Sequence, residues 1–350
     1  MNKKNILVFG AAGFMGTYLI DELLKQKFQI TASDISSIGE KYYHEKNIPY
    51  VHVDITNNDD FEKLNKESYD TVIHLAATQP ANVSIQNYNP KDYINVNVIG
   101  TLNILEFCRK NKVRKIVYAS SHRNTQGLWA KINRPINEED GRSIKYSGQY
   151  SMFSISESAA QDCVLHYQEE FGLKTIIFRL PPVYGYGPHT EIFFDGKPIK
   201  TGFQIFIENA LACKPLEVWG DWNVGRDIIY IKDVTSAFIK AIQENTANGL
   251  YNITSGKRIT LKEEAETIAK IFWGDNSRPE VINKPEKQNH LDSFLYDITK
   301  AKKDLGWYPQ YNFEDMLYDF IKEGTHNDYR YLLEKRKNMI DAANQNNDLL

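Results

Sequence analysis

The residues best equipped for chemistry stand at the amino end. The apolar run Ile6-Leu7-Val8-Phe9 passes directly into Gly10-Ala11-Ala12-Gly13-Phe14-Met15-Gly16, and an amphipathic stretch follows. Three glycines at this spacing, between a strand and a helix, suit a diphosphate. Gly10 makes the tight turn, Gly13 lets the backbone approach the anion, and Gly16 lets the helix press on the sheet. The helix start at Phe14 and Met15 turns free N–H groups and a partial positive charge toward the phosphates. Asp34 ends the next apolar run, about 20 residues on, where a carboxylate accepts hydrogen bonds from an adenosine ribose. It would repel a 2′-phosphate, and its neighbours Ile35 and Ser36 bring no cation. Loop and aspartate together select NAD as the cofactor.

Two further run ends border the same place. Asp54-Ile55 follows the third apolar run and Leu75-Ala76-Ala77 the fourth, placed to edge the adenine and the cofactor backbone. Each, taken alone, also fits a plain strand end. His74, just before the small residues, reads as structural.

The elements that must carry these residues alternate. Short runs rich in Val and Ile, at 6–9, 29–32, 50–53, 71–75, 115–119 and 174–179, are separated by helical stretches at 14–26, 60–65, 91–111 and one ending near Phe171. Near-continuous apolar runs are strands covered on both faces. The chain therefore predicts an α/β fold, a doubly wound parallel sheet of the Rossmann type with right-handed crossovers. After Arg179 the rhythm breaks at Leu180-Pro181-Pro182 and Tyr184-Gly185-Tyr186-Gly187-Pro188. Helices near 202–213, 261–272 and 298–305 and a return strand at 250–253 then form a smaller C-terminal α/β lobe. The expected division is 1–180 for the NAD-binding domain with return segments near 226–255, 181–329 for the substrate lobe, and 330–350 for an exposed helix fraying into a tail.

Composition bounds the rest. With 350 residues and 42% hydrophobic content the chain has ample material for a core. Forty-two Lys and Arg against 45 Asp and Glu leave a net charge of −3, which gives no global pull toward nucleic acid. Cys108, Cys163 and Cys213 are odd in number and far apart, as expected of buried thiols in a reducing compartment. No run is long enough to span a membrane, and the first apolar run is too short for an export signal. No zinc-like or EF-hand spacing occurs, so no metal is expected. These features predict a cytoplasmic protein.

Taken in order, the motifs resemble the extended short-chain dehydrogenases, specifically the NAD-dependent sugar-nucleotide epimerases and dehydratases. The resemblance runs from about Asn5 to Phe320. It rests on the glycine loop, His74-Leu75-Ala76-Ala77, Asn97-Val98-Ile99-Gly100-Thr101, Tyr118-Ala119-Ser120-Ser121, Arg179-Leu180-Pro181-Pro182-Val183-Tyr184-Gly185, Arg226-Asp227-Ile228-Ile229-Tyr230-Ile231-Lys232-Asp233, and Leu305-Gly306-Trp307-x-Pro309. It implies transient hydride transfer at a carbon of a nucleotide-activated sugar, as in polysaccharide or glycoconjugate precursor synthesis. It also implies that Asn97 and Pro181 serve the cofactor and that Arg226 meets the substrate diphosphate. A guanidinium fork suits that bidentate contact, although an ion pair with Asp227 or Asp233 is an alternative. Pro182, Tyr184, Tyr186 and His189 could line the substrate pocket, with Tyr184, Tyr186 and His189 equally compatible with loop packing. The family's second substrate arginine is absent, and Lys287 is the nearest cation. The family's dimer bundle would correspond to helices 91–111 and 150–171, implying a homodimer.

The family's chemistry uses Tyr-x-x-x-Lys, a proton acceptor and the ammonium that supports it, both on one helical face. The best register here places Phe153 and Glu157 on that pair, and a second register starts at Tyr150 with Ser154 in the lysine place. Phe153 has no ionisable proton, and Glu157 brings an acid where an ammonium stands. The candidate catalytic set is therefore Ser121, Tyr150, Phe153 and Glu157, with Tyr146, His122 and Arg123 as further substitutes. Three functions stay open: an active epimerase or dehydratase, a binding homologue without turnover, and non-redox chemistry through Glu157.

Overall fold

The structure, a computed structural model, describes residues 4–64, 69–273, 279–289, 291–325 and 329–347. Six strands, β1 (Asn5–Phe9), β2 (Gln29–Asp34), β3 (Tyr50–His52), β4 (Thr71–His74), β5 (Lys115–Ser121) and β6 (Lys174–Leu180), lie in one parallel sheet. A seventh, Gly249–Asn252, returns from later in the chain to pair with β6. From that edge strand the order runs β6, β5, β4, β1, β2, β3. The order reverses between β1 and β4, and a crevice opens beyond the carboxyl ends of strands at such a switch point.

Both faces of the sheet are buried because β1 alternates between two cores. Ile6 and Val8 join one with α1 (Phe14–Lys25), while Leu7 and Phe9 join the other. Tyr43, from the short helix α2 (Glu40–Glu45), buries in the first core and donates its hydroxyl to the Ala11 carbonyl.

The predicted helix over 91–111 is broken. It divides into α3 (Pro90–Tyr93), a π-helical stretch Ile94–Gly100, and α4 (Thr101–Lys110). Ile94, Val96, Val98 and Ile99 are β-branched and weaken an α-helix there. Asn97 sits inside the wide turn, with its side chain bonded to Thr78 and Ser156. Helix α5 (Ser151–Phe171) begins one residue later than expected, so Tyr150 stands at its N-cap position. Of the predicted segment 60–65 only a 3₁₀ stretch, Asn58–Lys63, forms, and Asn65 lies outside the described residues.

Beyond β6 the helices α6 (Gly202–Leu211), α7 (Ile231–Gln243), α8 (Leu261–Phe272), α9 (Thr299–Leu305) and α10 (Phe313–Thr325) follow in order. The core of the second lobe is formed by α6, α8 and α10, beside a parallel strand pair, Leu216–Trp219 with Val281–Lys284. Helix α7 belongs to the first domain, where Val234, Phe238 and Ile242 pack with Leu19, Ile20 and Leu23 of α1. Trp307, beyond α9, pins that helix to α7 by donating Nε1 to Ser236 Oγ at 2.9 Å.

Two expectations are corrected. Residues 330–347 form a helix as expected, α11 (Arg330–Asn347), but not an exposed one, since it buries Leu332, Ile340 and Ala343. The apolar positions are spaced at helical intervals and find core partners, which outweighs the polar composition around them. Residues 348–350 lie outside the described residues. Of the three cysteines Cys108 is buried, Cys163 half-buried and Cys213 exposed, because Cys213 falls in the turn after α6 rather than on its packed face.

The packed helix has a measurable signature. Leu332 is 2% exposed, so Leu332→Ala should cost about 2–4 kcal/mol in urea unfolding. A loose tail would leave the midpoint unchanged.

Candidate active site

A cavity of about 1740 Å³ fills the crevice between β1 and β4 and extends under the second lobe. Its floor is the glycine turn. Gly10 adopts φ +81°, and a Cβ there would stand 2.6 Å from the Ala76 nitrogen, so the exits of β1 and β4 touch only because Gly10 has no side chain. A Cβ on Gly16 would strike the Gly10 and Ala11 carbonyls. At Gly13 the nearest atom to a Cβ would be the Gly10 oxygen at 3.2 Å. Gly13 also leaves α1 without a side-chain cap.

Asp34 is held from both sides, with Oδ2 accepting from the Ala12 N–H and Oδ1 from the Ser36 N–H, each at 2.9 Å. Each carboxylate oxygen has a second lone pair with which to accept, and Asp34 lines the cavity. Asp54 Oδ1 accepts from the Thr56 N–H and hydroxyl, and Ile55 is fixed by Asn103, which donates to its carbonyl at 2.8 Å. Asp34, Asp54, Ile55, Leu75, Ala76, Ala77, Phe14 and Met15 all line the cavity. An uncapped helix start, an open glycine and an anchored carboxylate in this order fit a dinucleotide.

Asn97 departs from its expected place. It does not line the cavity. Its side chain accepts from the Thr78 N–H at 2.8 Å and donates to the Thr78 carbonyl and to Ser156 Oγ. It therefore ties the loop after β4 to α5 and acts on the cavity through Thr78. His74 is buried against Thr101, with its ring pushed down to about 3 by burial, as a structural histidine requires.

At the inner end the structure brings Ser121, Tyr150, Phe153 and Glu157 together with His122 and Arg123. Phe153 and Glu157 are one turn apart on α5 and both line the cavity. Ser154 does not, because its hydroxyl bonds back to the Tyr150 carbonyl at 2.9 Å. Glu157 is 3% exposed and accepts from the Tyr118 hydroxyl at 3.0 Å. Burial lifts its carboxyl to about 8, against the pull of that hydrogen bond, so it keeps its proton at neutral pH. The Arg123 guanidinium lies 3.8 Å from the Tyr150 ring centroid and 5.2 Å from that of Trp129. His122 stacks on Trp129 and bonds the Leu180 carbonyl, and burial holds its ring neutral. Tyr146, at 78% exposed, lies outside the cavity.

On the outer side Pro181, Pro182, Tyr184, His189 and Arg226 line the cavity. His189 meets the Phe14 ring edge-on at 5.0 Å, and loss of water around it pulls its ring down to about 4. Arg226 is ion-paired, but with neither of the aspartates the sequence offers. Its Nη2 reaches Glu264 Oε2 at 3.1 Å and donates to the Tyr184 hydroxyl at 2.9 Å. Asp227 accepts instead from Ser255 and the Tyr296 N–H, and Asp233 from the N–H groups of Gln310 and Tyr311. Glu264 was missed by sequence reasoning although a signal existed: it is a charged residue on the Leu261, Ala265, Ile268 face of α8. Lys287 is a correction, since it pairs with Glu217, lies over the Trp219 ring and does not line the cavity. Among the described residues no cluster of His, Cys, Asp or Glu could hold a metal, and no helix is long and apolar enough to cross a membrane.

The sheet order and this cavity define a dinucleotide-dependent enzyme of the Rossmann class. Residues 6–254 match the NAD dependent epimerase/dehydratase family, and the chain belongs to that family. A putative UDP-glucose 4-epimerase of Methanocaldococcus jannaschii is 30% identical over 314 residues, covering 89% of this chain and 95% of that protein. Among solved structures, UDP-glucose 4-epimerase of Thermotoga maritima with UDP-glucose superposes with a TM-score of 0.74 at 25% identity, covering 92% of this chain and all of that one. The Thermus thermophilus UDP-glucose 4-epimerase in complex with NAD gives 0.72, also at 25%, covering 92% and 99%.

Glu157 sets a pH dependence. The folded chain holds its proton up to about 8, whereas the unfolded chain releases it at the ordinary carboxylate value, so folding stability falls as pH rises between the two. Glu157→Gln removes the titration, and its melting temperature relative to the unsubstituted protein should climb by several degrees from pH 5 to pH 9. Parallel melting curves across that range would show that Glu157 is not a buried acid.

Proposed function

We propose that this chain is an NAD-dependent epimerase or dehydratase acting on a nucleotide-activated sugar, with Tyr150 and Arg123 in place of the family's tyrosine and lysine. The observation that carries the proposal is the Arg123 guanidinium over the Tyr150 ring, beside Ser121 at the inner end of the cavity.

NAD supplies a hydride acceptor when bound. The backbone at Gly10, Gly13, Phe14, Met15 and Gly16 holds its diphosphate, Asp34 its adenosine ribose, and Asp54, Ile55, Leu75, Ala76 and Ala77 its adenine and backbone edges, with Pro181 beside the nicotinamide. Ser121 orients the sugar hydroxyl. Tyr150 takes the hydroxyl proton as hydride leaves the sugar carbon, and Arg123 offsets the charge that develops on the phenol oxygen. Neutral Glu157 can donate to one ribose oxygen, a contact an ammonium would otherwise make. Phe153 excludes water from the inner wall. Tyr184 and Arg226 face the substrate diphosphate, with Glu264 trimming the cation's net charge.

A second possibility has its own observation. Glu157 is a protonated acid at the place of the missing ammonium, so general acid chemistry through it, or binding without turnover, would also follow from this cavity. Incubation with NAD and a panel of UDP- and dTDP-sugars, followed by NADH absorbance and NMR of the sugar, separates these. Tyr150→Phe should lower turnover by about 10²–10⁴-fold with bound NAD unchanged, while Glu157→Gln keeps turnover within about tenfold. The reverse pattern assigns the chemistry to Glu157. NAD bound with every sugar recovered intact makes the chain a binding homologue.

We also infer a homodimer through helices 91–111 and 150–171, working in the cytoplasm. Tyr93, Leu105 and Val164 are buried within the chain and cannot form that face, which leaves exposed apolar residues such as Ile99. Sedimentation should show a dimer that Ile99→Glu weakens. A monomer at all concentrations overturns this.

A further inference from the structure

Helix α11 runs along the cavity. It starts against α1, where Tyr329 stacks on Tyr18 with 4.2 Å between centroids and Tyr331 bonds the Thr17 hydroxyl. It ends against the hairpin of residues 191–200, where Ile340 and Ala343 bury beside Phe193. Between these anchors Leu332, Lys335, Arg336 and Met339 form one wall of the cavity.

Arg336 is the unusual member. It is 6% exposed. Its Nη1 donates to the Ala81 carbonyl at 2.8 Å and Nη2 to Asn82 Oδ1 at 2.6 Å, both on the loop that leaves β4. Both acceptors are neutral, and the Nε has no partner. Burial pulls its pKa down only to about 10, so the charge persists at neutral pH. Glu191 acts on Arg336 only through space, and burying a guanidinium whose hydrogen bonds end on neutral groups is costly; its unpartnered Nε in a cavity wall points to an anion that arrives with a ligand. The neighbouring wall carries the uncapped start of α1, and Tyr331, about one turn before Arg336, is bonded to that same helix.

We propose that Arg336 is a cofactor-binding residue that supplies the cation for the dinucleotide's diphosphate, and that α11 is the wall enclosing it. This rests on NAD lying along the Gly10–Gly16 turn. The guanidinium keeps its bonds to Ala81 and Asn82 while the Nε–H and the remaining in-plane N–H groups donate to phosphate oxygens. Release of the cofactor then requires α11 to part from Thr17 and from the loop after β4, so exchange is slow.

The test is equilibrium binding of NAD⁺, ADP and adenosine to the whole chain and to Arg336→Met and Arg336→Lys, after circular dichroism verifies each fold. Arg336→Met should weaken NAD⁺ and ADP by 10–100-fold and leave adenosine, which lacks the diphosphate, within twofold. Arg336→Lys should recover part of the loss. NAD⁺ and ADP bound by Arg336→Met as tightly as by the unsubstituted chain, or an equal loss for adenosine, overturns the assignment. A chain that binds none of the three before substitution overturns the NAD reading itself. Should Arg336→Met not fold, amide exchange of residues 330–344 in the unsubstituted protein decides. It should slow at least tenfold with NAD⁺ or ADP and not with adenosine, and unchanged exchange overturns the proposal.

Discussion

The contact on which the molecule depends is the approach of two backbones at the top of the sheet. Gly10 and Ala76 pass each other at a distance that excludes any side chain on the first. That approach lets β1 pair with β4 right up to the strand ends and turns the chain into α1 with its first N–H groups uncapped. It also brings the Ala12 N–H to Asp34, so the turn and the carboxylate are parts of one rigid device. The turn and the carboxylate are held by contacts within the chain itself, which is what preorganised binding of a dinucleotide needs.

Around this device charge is rationed by pairing. Arg226 enters the substrate side as half of an ion pair with Glu264, and Lys287 is spent on Glu217. Glu157, a carboxyl by sequence, is neutral by burial. Arg123 and Arg336 face rings and neutral acceptors instead. Buried in a cavity wall, such cations interact more strongly with an arriving anion than surface lysines do, because less water screens them.

The sheet was legible because each strand is a run of apolar residues bounded by polar ones, a signal that local physics alone produces. The glycine turn and Asp34 were legible for the same reason. What stayed hidden depended on partners distant in sequence. The break at Ile94–Gly100 is settled by where Asn97 must reach, 59 residues away at Ser156. Helix α11 looks polar until Tyr18 and Phe193 supply the surfaces that its few apolar residues bury against. The partner of Arg226 lay on another helix, while two nearer aspartates in the same motif are committed to backbone N–H groups and a serine hydroxyl.

The return of residues 249–252 to the edge of β6 also bears on how this chain emerges from the ribosome. Until that segment is made, β6 presents an open row of backbone donors and acceptors, and the face later covered by α7 is bare apolar surface. A nascent chain in that state offers a template for strand-to-strand association. Expressing the first 180 residues as an isolated fragment would make that state permanent, so the boundary suggested by motif order is a poor place to cut.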